Sequence, residues 1–429
     1  MLKEENEYLS RVGPGTPMGD LIRQYWIPAL LSSELAEPDG APLRMRLLCE
    51  ELIMFRDTEG KVGLLKANCP HRGASLFFGR NEENGLRCVY HGWKFDVHGA
   101  CVDMPNEPAE SNFKDKIHQV AYPCREQGGV IWAYMGPREM PPPLPQLEWT
   151  LVPENHRILT PFLRECNWLQ ALEGDIDTAH LYFLHARLNA AEDDGAKSGT
   201  LGVFHQDVHP RLFLVETDYG MMYGARRDED DEHYYWRITQ FMFPFHTFFP
   251  PGGFRGVPGH FWVPLDDENT MVWSLGWNPN EPVAPRDRSR SGAGGDYLPA
   301  TSHPLGRRRM AANKTNDYLI DREVQRTQTF TGIPSIPMQD QAVTESMGLI
   351  TDRTQEHLGS TDGMLIQVRR KLMNAAKALR EQGITPPCVD EPSMYGVRSA
   401  SLILRRDADW QAETREVLKA FTGLPVATL

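Results

Sequence analysis

Apolar positions recur at helical spacing through the first 26 residues, where Gly13-Pro14-Gly15-Thr16-Pro17-Met18 turns the chain into a short helix expected over Gly19 to Tyr25. From Leu43 the period shortens toward two. Arg44 to Leu48 and Leu52 to Arg56 read as strands, and Asp57-Thr58-Glu59-Gly60 turns the chain toward Val62. Gly128 to Pro137 reads as a further strand, after which Pro141-Pro142-Pro143-Leu144-Pro145 marks a linker. Beyond it, strands are expected over Arg211 to Glu216, Gly220 to Arg226, Tyr234 to Phe243, Gly259 to Pro264 and Thr270 to Trp277, in an antiparallel sheet. The acidic run Asp228 to Glu232 suits a solvated hairpin tip. From Gly363, Leu365, Val368, Leu372, Met373, Ala376 and Leu379 follow helical spacing, and that helix should pack across the sheet. The pattern as a whole is α+β. It divides into a helical lead-in (1–26), a small all-β domain (27–145) and a larger domain of antiparallel sheet with packed helices (146–429).

Charge and composition narrow the partners. A net charge of -13 with scattered basic residues argues against nucleic acid, and 41% hydrophobic residues suit an ordinary globular chain. Met1 to Asn6 leads into no apolar signal region, and runs such as Val130 to Met135 are far too short to span a membrane, so a cytoplasmic protein is expected. Residues 281–309, rich in Pro, Arg, Ser and Gly, read as a long loop. In it Arg307-Arg308-Arg309 either docks an acidic partner or is simply solvated. Seven cysteines, an odd number with no secretory signal, point away from disulfides and toward metal binding.

Two of them sit in matched loops: Cys69-Pro70-His71-Arg72-Gly73 and Cys88-Val89-Tyr90-His91-Gly92-Trp93-Lys94-Phe95. The spacing is C-x-H, sixteen residues, then C-x2-H. A [2Fe-2S] cluster can be held by two thiolates on one iron and two imidazoles on the other. A zinc site uses the same donors, but zinc fingers pair Cys with Cys and His with His, the latter on a helix. Here each loop mixes the two types, and Gly73, Gly92 and Pro70 favour tight loops between strands. Cys49, Cys101, Cys124 and Cys166 lack such pairing and are expected to be small buried residues.

A second cluster of donors lies in Asn167 to His185, with Glu173, Asp175, Asp177, His180 and His185. Two His and one carboxylate on one face of iron(II) leave positions open for O2 and substrate. Asp177 and His180 would share a helix face, but His180 and His185 lie about 140° apart on a regular helix, so at least one of them must sit where the helix ends or loosens. Two satisfied histidines on a buried helix edge is the alternative.

With both halves in view, the chain resembles the large (α) subunit of Rieske non-haem iron oxygenases, within them the phthalate dioxygenase group. The similarity rests on Arg11 to Gly19, the two Cys/His loops, Glu173 to His185 and Pro337-Met338-Gln339-Asp340, and the two metal motifs stand about ninety residues apart. The resemblance implies an N-terminal Rieske domain followed by a helix-grip catalytic domain. It implies that Cys69, His71, Cys88 and His91 hold the [2Fe-2S] cluster and that His180, His185 and Asp340 hold a mononuclear iron. Spacing alone does not choose Asp340 over Asp317, Asp321, Asp352 or Asp362. Asp177 matches the bridging aspartate, which in relatives links a cluster histidine of a neighbouring subunit to an iron-ligand histidine, in a homotrimer or stacked trimers. Asp175 would then be structural.

The same resemblance implies O2 as co-substrate and electrons from a separate NAD(P)H-dependent reductase. In the phthalate group, sheet arginines hold substrate carboxylates, since guanidinium binds them bidentately. Arg237 matches one; the second has no counterpart between Ala196 and Pro210, which points to an aromatic acid with one carboxylate or with a neutral second group. A surface salt bridge is the plain alternative for Arg237. Phe241, Phe243, Phe245, Phe248 and Phe249 are either a pocket wall or ordinary core. The expected activity is dioxygenation of an aromatic carboxylate, phthalate-like or phenoxybenzoate-like. A Rieske monooxygenase or O-demethylase is the alternative, and an electron-transfer protein without oxygenase chemistry is the reading from another class.

Overall fold

The structure is a computed structural model that describes residues 1–108, 110–188, 208–250, 254–285, 294–423 and 426. Helices Lys3–Ser10 and Pro17–Ile22 open the chain; Thr16 accepts from the N–H of Gly19, and Pro17 occupies the first turn, where its missing N–H costs nothing. Three small antiparallel sheets follow: Trp26–Leu31 with Val130–Tyr134 and Cys124–Gln127; Leu43–Leu47, Glu50–Arg56 and Val62–Lys66; and four short strands from Arg80 to Asp103. The strands expected from the sequence are present with some ends shifted by one to three residues, and the helix expected over Gly19 to Tyr25 starts earlier, at Pro17, and ends at Ile22.

Two apolar cores result. A small one gathers Ile53, Phe55, Leu65, Leu76, Leu86, Trp93 and Phe95 around Cys69 and Cys88. The larger runs from Trp26, Ile27 and Trp132 into the C-terminal sheet, where Trp132 stacks on Trp149 at 6.0 Å and Trp149 meets Phe261 at 5.7 Å. The sheet closed by Val130–Tyr134 therefore packs directly on the large sheet.

That large sheet has eight strands: β1 (Arg157–Arg164), β2 (Arg211–Thr217), β3 (Gly220–Asp228), β4 (His233–Met242), β5 (His246–Phe248), β6 (Val257–Pro264), β7 (Thr270–Trp277) and β8 (Ala400–Arg405). Their order is β1-β7-β6-β5-β4-β3-β2, with β8 paired to the half of β4 that β5 leaves open. Strand β4 is buried on both faces from Tyr235 onward, Arg237, Thr239 and Gln240 included, so its sequence shows no clean alternation of apolar and polar positions. On one side Trp236 stacks on Trp410; the other lies under the helices.

The helices that matter are α1 (Trp168–Asp175), α2 (Leu181–Leu184), α3 (Ile336–Ser346) and α4 (Gly363–Gln382). Helix α4 buries Met364, Val368, Leu372 and Ala376, four residues apart, and stops at Gly383, whose φ of 68° suits glycine. No helix among the described residues is long and apolar enough to cross a membrane.

Some expectations need correction. Cys49 is exposed and Cys124 half-buried, while Cys101 and Cys166 are buried. Arg307 and Arg308 face Glu34 at 3.7 and 3.3 Å, and Arg309 reaches Glu165 at 3.1 Å, so the basic triplet ties the loop to the body instead of standing in solvent. Residues 286–293 of that loop lie outside the described residues. Phe241, Phe243, Phe245 and Phe248 belong to the apolar core.

Helix α1 is anchored by buried charge. Glu173 accepts from Arg369 Nε at 2.6 Å and Arg353 Nη2 at 2.9 Å; Arg353 also reaches Asn6, and Arg369 is forked on Glu356. Burial alone would raise the Glu173 carboxyl, but the two guanidiniums outweigh it and hold it below its ordinary range. Because the folded pKa is depressed, this contribution is complete above the ordinary glutamate pKa of about 4.3 and is lost as pH falls through the folded value. Glu173→Ala leaves two buried guanidiniums short of a counter-charge and should cost about 3–5 kcal/mol at neutral pH. Denaturant titration checks this, and the difference from wild type should shrink in acid.

Candidate metal centre

The two Cys/His loops are twins in their backbone. Cys69 donates its N–H to Ala74 O and accepts from Gly73; Cys88 donates to Trp93 O and accepts from Gly92, all at 2.8–3.0 Å. Gly73 and Gly92 close the loops at φ 76° and 79°, where a side chain is strained. A Cβ on Gly92 would also stand 2.6 Å from Pro105 Cγ. The result puts both thiols in the small core and both imidazoles at its half-buried edge, with ring centroids of His71 and His91 4.5 Å apart. His71 stacks on Trp93 at 4.3 Å, and Trp93 is itself held by Asn106. Burial, with Cys88 as a near neighbour, pushes the Cys69 thiol up to about 11. A desolvated thiol of this kind carries negative charge readily only on a metal.

The second centre forms where the chain leaves helix. Helix α1 ends at Asp175, residues 176–180 are irregular, and α2 is a single turn with His180 at its start and His185 at its end. Because His185 caps the end of that single turn in a non-helical conformation, the two imidazoles five residues apart converge, with ring centroids 5.1 Å apart and planes at 83°. Asp177 and His180 do not share a helix face, as the spacing suggested. They meet across the irregular segment, His180 Nδ1 lying 3.5 Å from Asp177 Oδ2 while Asp177 Oδ1 accepts from the N–H of Ala179.

Helix α3 supplies the third group. Asp340 Oδ1 lies 3.3 Å from His185 Nε2 and 3.7 Å from His180 Nε2, and one donor atom from each of the three residues falls within 4.8 Å of the others. Asp317, Asp321, Asp352 and Asp362 are not part of this group. The donor set, two imidazoles and a carboxylate, is that of a facial iron(II) site. The field suits a cation: burial pulls the His180 imidazole down, but Asp177, Asp340 and Asp175 outweigh it and raise it.

One supporting residue escaped the sequence reading. Gln339 donates its amide to Ile333 O at 3.0 Å, which turns its oxygen to His185 Nδ1 at 2.7 Å. An amide oxygen only accepts, so His185 carries its proton on Nδ1 and offers Nε2 to the centre. Its only signal in sequence was adjacency to Asp340. Asp175 points away from the triad, to His260 Nδ1 and Thr247, and is structural as expected.

Arg237 is buried, which removes the surface salt-bridge alternative. Its Nη2 donates to Pro250 O at 2.9 Å, and its Nη1 lies 3.5 Å from the Tyr235 hydroxyl. Tyr235, two residues earlier and thus on the same sheet face, packs against Leu181 and Tyr182, between the two histidines. Arg237 accordingly belongs to the face that looks toward the triad. Among the described residues Asp177 pairs with His180 and not with His91.

Comparison with known proteins agrees with this geometry. Residues 25–122 match the Rieske [2Fe-2S] domain family, and residues 133–422 match the family described as LigXa C-terminal domain like. The chain is 42% identical to the 3-chlorobenzoate-3,4-dioxygenase oxygenase subunit of Comamonas testosteroni, over 96% of this chain and 97% of that one. It is 38% identical to the phthalate 4,5-dioxygenase oxygenase subunit of Pseudomonas putida, over 95% and 93%. It is 32% identical to the 5,5'-dehydrodivanillate O-demethylase oxygenase subunit of Sphingobium sp. (strain NBRC 103272 / SYK-6), over 97% and 90%. The chain therefore belongs to the Rieske non-haem iron aromatic-ring-hydroxylating oxygenases, as an α subunit of the phthalate dioxygenase-like group that takes a [2Fe-2S] cluster and a mononuclear iron.

Proposed function

We propose that this terminal oxygenase dihydroxylates an aromatic carboxylate with O2, using electrons from a separate NAD(P)H-dependent reductase. The observation that carries the reading is Arg237: a buried guanidinium on the sheet face beneath the His180–His185 segment. A cation in that position binds a carboxylate through charge-assisted hydrogen bonds and holds the aromatic ring toward the triad. The names of the relatives, a chlorobenzoate and a phthalate dioxygenase, support the same class of acid.

In this reading Cys69, His71, Cys88 and His91 hold the cluster, and His180, His185 and Asp340 hold the iron. The iron, when bound, supplies the activation of O2. The protein's own groups do the arranging: Gln339 fixes the tautomer of His185, Asp177 orients His180, and Arg237 with Tyr235 places the acid. Asp177 also accepts from His91 of the partner subunit, which makes the working unit a ring of three copies or two stacked rings. Support for that comes from the half-buried edge of His71 and His91 beside exposed Val89 and Tyr90.

O-demethylation is the second reading, favoured by the demethylase among the relatives. A single turnover of pre-reduced protein under 18O2 with benzoate, phthalate, phenoxybenzoate and methoxybenzoates separates the two. Two labelled oxygens in one product are expected; one label, or methyl lost as formaldehyde, assigns the chain to the second reading.

Two substitutions probe the roles. Asp177→Asn should retain iron content and cluster absorbance yet lower turnover by about 100-fold. Near-normal turnover counts against the bridge. Arg237→Leu should raise KM for the acid by about 10- to 150-fold, the equivalent of about 1.5–3 kcal/mol for a hydrogen bond to a charged group. A neutral amide analogue should bind both proteins alike, and an equal loss for acid and amide would remove Arg237 from the pocket.

A further inference from the structure

The irregular segment 176–180 carries Asp177 and His180 but borrows little support from its neighbours in sequence, since α1 has ended and α2 has not begun. What holds it is the sheet. Arg227, on β3 and 2% exposed, donates from Nη2 to the carbonyl of Thr178 at 3.0 Å. Thr178 is itself buried and follows Asp177 directly, two residues before His180. Directly across the ladder from Arg227 stands Tyr235 on β4, and the Tyr235 ring packs against Leu181 and Tyr182, which follow His180. One cross-strand pair thus grips the metal-bearing turn from both sides of His180.

We propose that the Arg227–Tyr235 pair is the seat that sets the position of the Asp177–His180 turn, with Arg227 a positioning residue for the mononuclear centre. Burying a guanidinium is expensive, and apolar side chains would fill the space more cheaply. The main-chain carbonyl explains the choice: a carbonyl in a non-helical turn lacks a helical partner, and the rigid fork of Arg reaches it from a neighbouring strand. A side chain on a regular strand holds a turn more closely than the turn could hold itself. Arg227 and Arg237 share this sheet face, and the main-chain carbonyls they reach are different ones, Thr178 and Pro250.

The inference rests on the reading of His180, His185 and Asp340 as the iron site, and the experiment keeps the two apart. Full-length protein with its cluster intact is stripped of mononuclear metal and titrated with Co(II), read by visible absorbance, for wild type, Arg227→Met, Arg227→Lys, Tyr235→Leu and His185→Ala. Arg227→Met should bind Co(II) about 10- to 100-fold more weakly with the cluster spectrum unchanged. Arg227→Lys, which keeps a donor of similar reach, should recover most of the loss. A general packing role predicts no such rescue and a fall in melting temperature without change in affinity. Folded Arg227→Met with wild-type affinity, while His185→Ala has lost Co(II), overturns the seat alone. Co(II) binding retained in His185→Ala overturns the site reading beneath it. Should Arg227→Met fail to fold, Tyr235→Leu decides: weakened binding supports the seat and unchanged binding overturns it.

Discussion

Two imidazoles five residues apart cannot face one metal from a regular α-helix, because at 3.6 residues per turn they diverge by about 140°. Everything around the centre follows from how the chain meets that constraint. It ends α1 at Asp175, leaves five residues irregular and spends one helical turn between His180 and His185. Placing the two histidines at the ends of that turn lets the rings meet, and the irregular stretch before it leaves backbone without helical support. Distant parts of the chain make that good: Arg227 on the Thr178 carbonyl, Gln339 on His185, and the Glu173 ion network that locks the preceding helix against α4 and the N-terminal helix. A loop is the wrong place for a precise site unless rigid elements pin it, and here a sheet and two helices do so.

The cluster end solves a different problem by repetition. Each loop closes through the same pair of hydrogen bonds on its cysteine and the same left-handed glycine, so two short segments present matched thiols inward and matched imidazoles outward. The buried sulfurs sit in apolar surroundings while the imidazoles lie at the half-buried edge of the domain, near exposed Val89 and Tyr90. Triad and twin loops are separate constructions in one chain. Asp177 accepts from Ala179 and lies against His180, and in the proposed assembly it is the group that would join them.

What could be read from the sequence was what is local in it. The C-x-H and C-x2-H loops are complete within a few residues each, and the sheet strands announce themselves by β-branched and aromatic runs between turns. That at least one of His180 and His185 must sit at a helix end was legible too, as a geometric necessity. Asp340 was not legible from spacing, because four other aspartates stood as candidates and only the packing of α3 against α1 selects one. Gln339 and Arg227 act through a single hydrogen bond to a partner far along the chain, for which a sequence carries no period or motif. Arg237 stood evenly between surface and pocket for a related reason. Strand β4 is covered on both faces, so its pattern cannot say which side an arginine serves, and only β8 and Trp410 on one flank and the helices on the other settle it. The arginine triplet at 307–309 misled in the opposite sense: charge density suggested solvent, while Glu34 and Glu165 were waiting from other elements.

A triad of two imidazoles and a carboxylate fixes how a metal is held and says nothing about which bond of a substrate meets it. That choice lies in the sheet. Its helix-facing side carries Tyr223, Thr239, Tyr235, Arg227 and Arg237 in register across β3 and β4, an unusually polar interior for a buried face. Polar groups are kept inside only where they are satisfied, and most of these satisfy the protein itself, as Arg227 does on the turn and Arg237 does in part on Pro250. On the reading proposed for Arg237, the anchor of the acid is a point on this sheet, so changing the reaction on this scaffold means moving that anchor while leaving His180, His185, Asp340 and the Glu173 network as they are.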